Sequence, residues 1–125
     1  MPDDGVAYPA MRAMVISAVE AFSDVDYQWR EWVRAESRPA RLDNFTMQLN
    51  ALDDVRMLEA PEDAIGDILR DEREVAVFGP LNDALENLFG KLGTELSDEE
   101  YLDTAEWPQV VAAAKDALAV LSEAR

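Results

Sequence analysis

Two of the side chains that enzymes use most often are missing from this chain. Its 125 residues include neither cysteine nor histidine. Disulfide bonds and thiol nucleophiles are therefore excluded, and so are imidazole acid–base catalysis and the usual zinc ligands. Any catalysis would have to depend mainly on carboxylates, so the composition favours a binding protein over an enzyme.

Long hydrophobic runs are also missing. No segment approaches the roughly 18 to 20 consecutive apolar residues that a membrane helix needs. The N-terminal sequence MPDDGVAYPAM has acids where a signal peptide carries basic residues. We therefore predict a cytoplasmic protein that does not bind membranes. Its length and its 49% hydrophobic content suit one globular domain, residues 1–125, with residues 1–7 flexible.

Basic residues are scarce. The chain has 11 lysines and arginines against 27 aspartates and glutamates, and its formal net charge is −16. Residues 1–50 account for only −3 of this charge, so most of it belongs to the remainder of the chain. Phosphate backbones should be repelled by such a field, and we predict no direct binding of nucleic acid. A basic protein partner, or solubility alone, could account for the charge.

Helical patterns are what the chain does contain. Apolar residues at three- and four-residue steps predict an amphipathic helix over 9–23 and a second one whose apolar stripe includes Val25, Trp29, Trp32 and Val33. The same spacing predicts a core helix over 72–92 and a last helix that begins near Trp107. These elements predict an all-α fold, a compact bundle of about five to six helices.

Two local signals divide the second half of the chain. Gly79 and Pro80 interrupt the core helix, so we predict a kink there, or two helices that meet. Ser97 and Glu100 have the spacing of a capping box, which predicts a short helix before the last one.

Residues 45–52 carry two conflicting periods. Phe45, Met47 and Leu49 alternate as in a strand, whereas Phe45, Leu49 and Leu52 step as in a helix. We predict a helix, because a lone strand would leave its backbone groups without a partner strand. Asp43, at the end of a linker over 37–43, is placed to cap this helix.

Four arginines lie on the second helix or just after it. The arginines follow at or near helical spacing: Arg30, Arg34, Arg38 and Arg41. We interpret them as a solvated or internally paired face, with a binding site for a carboxylate or phosphate ligand as the alternative.

The three tryptophans each lie on an apolar stripe: Trp29, Trp32 and Trp107. We predict that they belong to the core, with an aromatic binding surface as the alternative.

The densest acidic pattern lies between Asp53 and Glu74, where nine acids accompany three arginines. Glu59, Asp63, Asp67 and Asp71 are spaced by four residues. In a helix they would form a ladder of carboxylates with a rise of roughly 6 Å per step, similar to the spacing of phosphates along a nucleic-acid strand. Such a face would speed association with a basic partner.

The predicted partner-binding residues are Asp53, Asp54, Glu59, Asp63, Asp67 and Asp71. A plainer interpretation is that the ladder is only the solvated side of a helix, moderated by Arg56, Arg70 and Arg73.

Carboxylates could instead hold Mg²⁺. Glu59 with Glu62, and Glu95 with Asp98, match the letters of the E-x-x-E and E-x-x-D elements of all-helical nucleotide pyrophosphohydrolases. Pro61 lies inside the first element, however, and bases for the phosphates are few. A Mg²⁺-dependent nucleotide phosphohydrolase is therefore the alternative function, and the sequence predicts no cofactor.

Several segments together resemble a family of small acidic actinobacterial proteins. They are 8–19, 27–33, the Asp53 and Asp54 pair, 65–75 and 101–111. The resemblance implies a bacterial source and one compact cytoplasmic domain, and it carries over no catalytic residue. Together with the charge, we predict a protein that acts by protein–protein binding. The sharpest hypothesis is an immunity or inhibitor protein against a basic, nucleic-acid-directed partner.

Overall fold

The computed structural model describes residues 5–34 and 43–123, so Arg38, Arg41 and most of the predicted linker lie outside the described residues. The helices are α1 (Pro9–Ser23), α2 (Val25–Tyr27), α3 (Phe45–Asp53), α4 (Glu72–Ala76), α5 (Phe78–Leu92), α6 (Asp98–Leu102) and α7 (Trp107–Leu121). A π-helical segment, Gln28–Val33, extends α2, and a 3₁₀ turn, Pro61–Ala64, precedes α4. The described residues contain no strand, and the all-α prediction is confirmed.

Three helices of fifteen residues form the frame of the bundle. α7 lies between α1 and α5 and packs against both, and α3 packs against α1. Small residues on α7, among them Ala114 and Ala117, are fully buried and let its neighbours approach closely. None of the helices in the described part of the chain is both long enough and apolar enough to span a membrane.

Aromatic side chains fill the centre of the bundle. The ring centroid of Phe45 lies 5.2 Å from that of Trp107 and 6.0 Å from that of Trp32. Trp32 and Trp107 are 0% and 2% exposed, which confirms that they belong to the core, and Trp29 packs partly buried against it. The indole of Trp107 donates a hydrogen bond to the Gln28 side chain (2.9 Å), so its polar atom is satisfied inside the core.

Local capping signals set where several helices begin. Asp24 accepts a hydrogen bond from the backbone N–H of Tyr27 and caps α2. The predicted capping box is present, since Ser97 and Glu100 each bond to the other's backbone N–H at the start of α6. The helix predicted over 45–52 is also present, as α3.

The prediction that Asp43 caps α3 is wrong. Asn44 is the cap, and its side chain accepts from the N–H of Met47 at 2.7 Å. α3 begins at Phe45, so Asn44 and not Asp43 directly precedes it. Asp43 is buried and accepts hydrogen bonds from Trp32 Nε1 and from the Tyr27 hydroxyl. Burial and this bond to Asp43 raise the pKa of the Tyr27 hydroxyl.

The predicted core helix is two helices that meet at Val77. α4 ends at Ala76 and α5 begins at Phe78, so Pro80 lies in the first turn of α5. Proline has no N–H to donate to the carbonyl four residues earlier, and one continuous helix would lose that bond. The interruption therefore comes three residues before the proline.

Candidate functional site: an acidic surface at residues 53–67

The predicted acidic ladder is not a helix. Glu59 lies in a series of turns after α3, Asp63 lies in the 3₁₀ turn, and Asp67 lies in the turn that follows. Asp71 is the N-cap of α4 and accepts a hydrogen bond from the N–H of Glu74. The interpretation of these acids as one face of a helix is therefore wrong, and their spacing by four residues does not align them.

Backbone geometry explains why segment 54–71 folds as turns. Arg56 and Gly66 have positive φ angles of 57° and 89°, and neither angle occurs in a right-handed helix. Gly66 donates from its N–H to the carbonyl of Leu69, while its own carbonyl accepts from the N–H of Ala7 at 2.8 Å. Asp67 accepts in the same way from Tyr8. The turns thus pair with the segment that leads into α1.

The structure distributes most of the predicted acids around two depressions on either side of residues 53–60. The first, here called the α3–α5 groove, has a volume of about 340 Å³ and is lined by Leu49, Asp53, Leu58, Glu59, Asn82, Leu85, Glu86 and Phe89. The second, the Met11 depression, has about 180 Å³ and is lined by Met11, Asp54, Val55, Arg56, Ala60, Asp63, Ala64, Asp67 and Ile68. Both combine apolar side chains with exposed carboxylates.

We define the acidic surface by five exposed residues: Asp53, Asp54, Glu59, Asp63 and Asp67. They are the predicted residues that line the two depressions. Asp71 is half-buried and lines neither depression, because its carboxylate caps α4.

Electrostatic repulsion is present within this surface. Partial burial, together with the neighbouring charges of Asp54 and Glu59, raises the pKa of the Asp53 carboxyl. Arg56 pairs with Glu59, with Nε 3.3 Å from Oε2, and the hydrogen bond from its guanidinium to Glu59 raises the pKa of Arg56. One arginine is therefore set among five carboxylates, and the surface keeps a net negative charge.

The other two arginines expected to moderate these acids bind elsewhere. Arg70 Nε donates to Glu74 at 2.9 Å, and its Nη2 donates to the carbonyl of Glu123 at 3.0 Å. The guanidinium of Arg73 pairs with the carboxylate of Glu123. Both arginines therefore join α4 to the end of α7, which leaves the acidic surface less neutralised than the sequence suggested.

Sequence reasoning missed a buried ion pair between Arg12 and Glu74. The Arg12 guanidinium binds the carboxylate through both Nη atoms, at 2.7 and 2.8 Å, and the two residues are 2% and 0% exposed. A signal for it exists in the sequence. Arg12 is in phase with the buried stripe of α1, and Glu74 is in phase with that of α5, at three- and four-residue steps. A charged residue in phase with a buried stripe needs a partner.

The residues considered for a Mg²⁺-dependent phosphohydrolase have other contacts. Glu59 pairs with Arg56, and the carboxylate of Asp98 accepts from the N–H of Phe45 at 3.1 Å. Within residues 5–34 and 43–123, no group of three or more acidic side chains is arranged so that it could hold a metal ion. The arrangement therefore offers no observation that favours this alternative.

The arginine face of the second helix is described only in part. Arg30 pairs with Glu31, with Nε 3.1 Å from Oε2, and its guanidinium carbon lies 5.7 Å from the centroid of the Tyr27 ring. This confirms an internally paired arginine at position 30. Arg34 is exposed at the end of the π-helical segment.

The fold and this surface define a class: a small all-α protein whose candidate site consists of carboxylates around apolar depressions. The chain belongs to the family described as Domain of unknown function (DUF7945), whose model matches residues 6–125. That match covers nearly the whole chain. No curated protein and no solved structure matches it.

Proposed function

We propose that this protein is a cytoplasmic binding protein that uses its acidic surface to hold a basic protein. The observation that carries the proposal is that five exposed carboxylates remain around two depressions that also contain apolar side chains, while Arg70 and Arg73 are bound elsewhere. Binding interfaces typically combine an apolar centre with a polar rim. This surface has both parts.

The sign of the charge selects the kind of partner. The chain carries a formal −16, so long-range attraction favours a basic protein and opposes direct contact with nucleic acid. A basic partner directed at nucleic acid would have a phosphate-binding face of the opposite sign. By covering that face, the protein would act as an immunity or inhibitor protein.

The test is recovery of a partner by the immobilised protein from native lysate of the source organism at low and at high salt. We expect a basic protein whose retention falls as salt rises, because screening weakens charge–charge attraction between exposed groups. Recovery of no partner, or of partners insensitive to salt, would contradict the proposal.

A pair of variants separates the acidic surface from net charge alone. The triple variant Asp54→Asn, Asp63→Asn and Asp67→Asn removes three charges from the Met11 depression. The control triple variant removes three exposed charges from elsewhere: Asp83→Asn, Asp103→Asn and Asp116→Asn. Both proteins lose the same charge, and we expect only the first to release the partner at low salt. Equal loss in both would assign binding to overall charge and not to this surface.

A further inference from the structure

The α3–α5 groove is lined by apolar and by polar side chains, which come mainly from two helices. On α5 its lining residues are Asn82, Leu85, Glu86 and Phe89, which follow at helical steps and lie on one face. These positions extend for roughly 10 Å along the α5 axis, about two helical turns. The opposite wall comes from Leu49 and Asp53 of α3, at a spacing of one turn. The groove is therefore as long as a short helical segment of another protein.

The floor and the rim of this groove differ in chemistry. Leu49, Leu58 and Phe89 are half-buried, so each keeps apolar surface in contact with water. Asp53, Glu59 and Glu86 are exposed at its edges. Among the residues that the structure describes, no lysine or arginine lines the groove.

We propose that the α3–α5 groove binds an amphipathic helix of the partner protein. In this arrangement the apolar side chains of that helix pack on Leu49, Leu58 and Phe89, and its lysines or arginines lie against Asp53 and Glu86. The inference rests on the proposed function, since it specifies which part of a basic partner makes contact. Helix-in-groove binding uses apolar anchors one turn apart, and the two apolar residues of the α5 wall, Leu85 and Phe89, have that spacing.

Charge complementarity is the reason for a basic helix in preference to a neutral one. The raised pKa of Asp53 reflects partial burial and the nearby charges of Asp54 and Glu59. A cation beside Asp53 would relieve that repulsion and lower its pKa again. A neutral helix would bury these carboxylates without compensation.

The probe is a synthetic amphipathic helix of leucine and lysine, titrated into the protein by calorimetry. Its control is a peptide of the same composition in scrambled order, which keeps the charge but loses the apolar face. We expect the scrambled peptide to bind at least about tenfold more weakly, since it offers no apolar anchors to the groove. Equal binding of the two peptides would overturn the inference.

Two matched double variants locate the binding site. Asp53→Asn with Glu86→Gln removes two charges from the groove, and Glu20→Gln with Asp83→Asn removes two exposed charges from other surfaces. We expect the first to weaken binding of the helical peptide about tenfold and the second by less than about twofold. Equal weakening by both would show that net charge alone attracts the peptide, and would overturn the inference.

The apolar floor has its own variant. Leu49→Gln keeps the length of a half-buried side chain but adds a polar amide. We expect it to weaken the helical peptide and leave the scrambled peptide unaffected. Leu58→Gln provides a second site if the first variant fails to fold, as judged by circular dichroism. Unchanged binding of the helical peptide to a folded variant would show that the helix does not pack on these leucines, and would overturn the inference.

The outcomes distinguish the two proposals. If the protein retains a basic partner in a salt-dependent way but does not prefer the helical peptide, the groove inference fails and the proposed function stands. If the helical peptide binds and responds to the groove variants but no basic partner is retained, the proposed function fails and the groove remains a binding site for basic helices.

Discussion

Arg12 and Glu74 hold together parts of the chain that are far apart in sequence. Besides its bidentate contact with Glu74, Arg12 donates to the carbonyl of Ile68 at 3.1 Å and to that of Leu121 at 3.2 Å. The Glu74 carboxylate also accepts from the backbone N–H of Arg70 at 2.7 Å. The pair therefore links α1, the start of α4 and the end of α7. Such a buried pair fixes one arrangement of these elements, because either charge alone would be buried without compensation.

We predict that Glu74→Gln strongly destabilises the protein. It keeps the shape of the side chain but leaves the Arg12 charge buried, and breaking a buried pair in this way costs about 3–5 kcal/mol. The control is Glu123→Gln, which removes the carboxylate paired with Arg73, where the two side chains are 35% and 58% exposed. That change should cost less than about 1 kcal/mol. Urea unfolding measures both, and a similar loss in the two variants would contradict the role assigned to burial.

The same carboxylate should affect stability at low pH. Burial by itself raises the pKa of Glu74, but hydrogen bonds from the Arg12 side chain and from the Arg70 backbone and side chain outweigh it and lower the pKa to about 2, from an ordinary 4.5. Because the pKa of Glu74 is lower in the folded state than in the unfolded chain, ionised Glu74 stabilises the folded state at pH values above its unfolded-state pKa. That contribution, about 3 kcal/mol, should be lost as the pH falls from about 4.5 towards 2.

Comparison with Glu74→Gln isolates the contribution of Glu74 from that of the other acids in the chain. The free energy of unfolding of the wild-type protein should fall more steeply below pH 4.5 than that of the variant. Parallel pH profiles for the two proteins would show that Glu74 does not titrate with a lowered pKa.

Two glycines near the C-terminal end of α5 have different effects on the helix. Gly90 lies inside the helix, and a Cβ atom there would meet no atom within 4 Å. Gly93 is the C-cap, with φ 78° and ψ −175°, a conformation that only glycine adopts readily. The first glycine therefore weakens the helix, whereas the second allows it to end.

We predict that Gly90→Ala and Gly93→Ala change stability in opposite directions. Alanine at position 90 should stabilise the protein by about 0.5–1 kcal/mol, because it restricts the unfolded chain and favours helix. Alanine at position 93 should destabilise it by about 1–3 kcal/mol, because its Cβ strains that backbone conformation. Thermal unfolding of the two variants side by side is the measurement. A change of the same sign in both would contradict the conformations described.

Segment 54–71 shows why the spacing of charged residues is a weak guide to secondary structure. Four acids at four-residue intervals suggested a helix, but no long apolar stripe accompanies them, and Gly66 lies among them. Burial of an apolar stripe stabilises most helices in proteins, and exposed charges contribute little. Gly66 and Pro61 were the signals in the sequence that favoured turns.

Net charge acts on the molecule as a whole. With a formal −16, the folded protein brings many like charges together, and this repulsion opposes the compact state. The bases near the acidic surface that could reduce it, Arg70 and Arg73, are bound to Glu74 and to Glu123. Salt should therefore affect stability and binding in opposite directions.

We predict that the melting temperature rises by a few degrees between about 10 mM and about 100 mM salt. Over this range the Debye length shrinks from about 30 Å to about 10 Å, so screening reduces the repulsion between distant carboxylates. Calorimetry in NaCl and in KCl at equal ionic strength provides the control, since screening depends on neither cation. A melting temperature that stays constant or falls would contradict net repulsion in the folded state.

The sequence by itself determined the all-α fold, the extent of α1, the capping box of α6 and the division near Gly79 and Pro80. These features depend on apolar periodicity, on caps and on proline, all of which act within a few residues. The carboxylates of the acidic surface could also be named, because most of them lie together in a short segment.

Only the tertiary structure decided which charges neutralise each other and which remain exposed. Arg12 and Glu74 are separated by 62 positions, and Arg73 and Glu123 by 50. Such pairs form when packing of α1, α4 and α7 brings the side chains together. Local spacing can indicate that Arg12 and Glu74 each need a partner, but it does not indicate which residue that partner is. The placement of Asp53 and Glu59 beside Leu58, Leu85 and Phe89 has the same cause, because the groove exists only between packed helices.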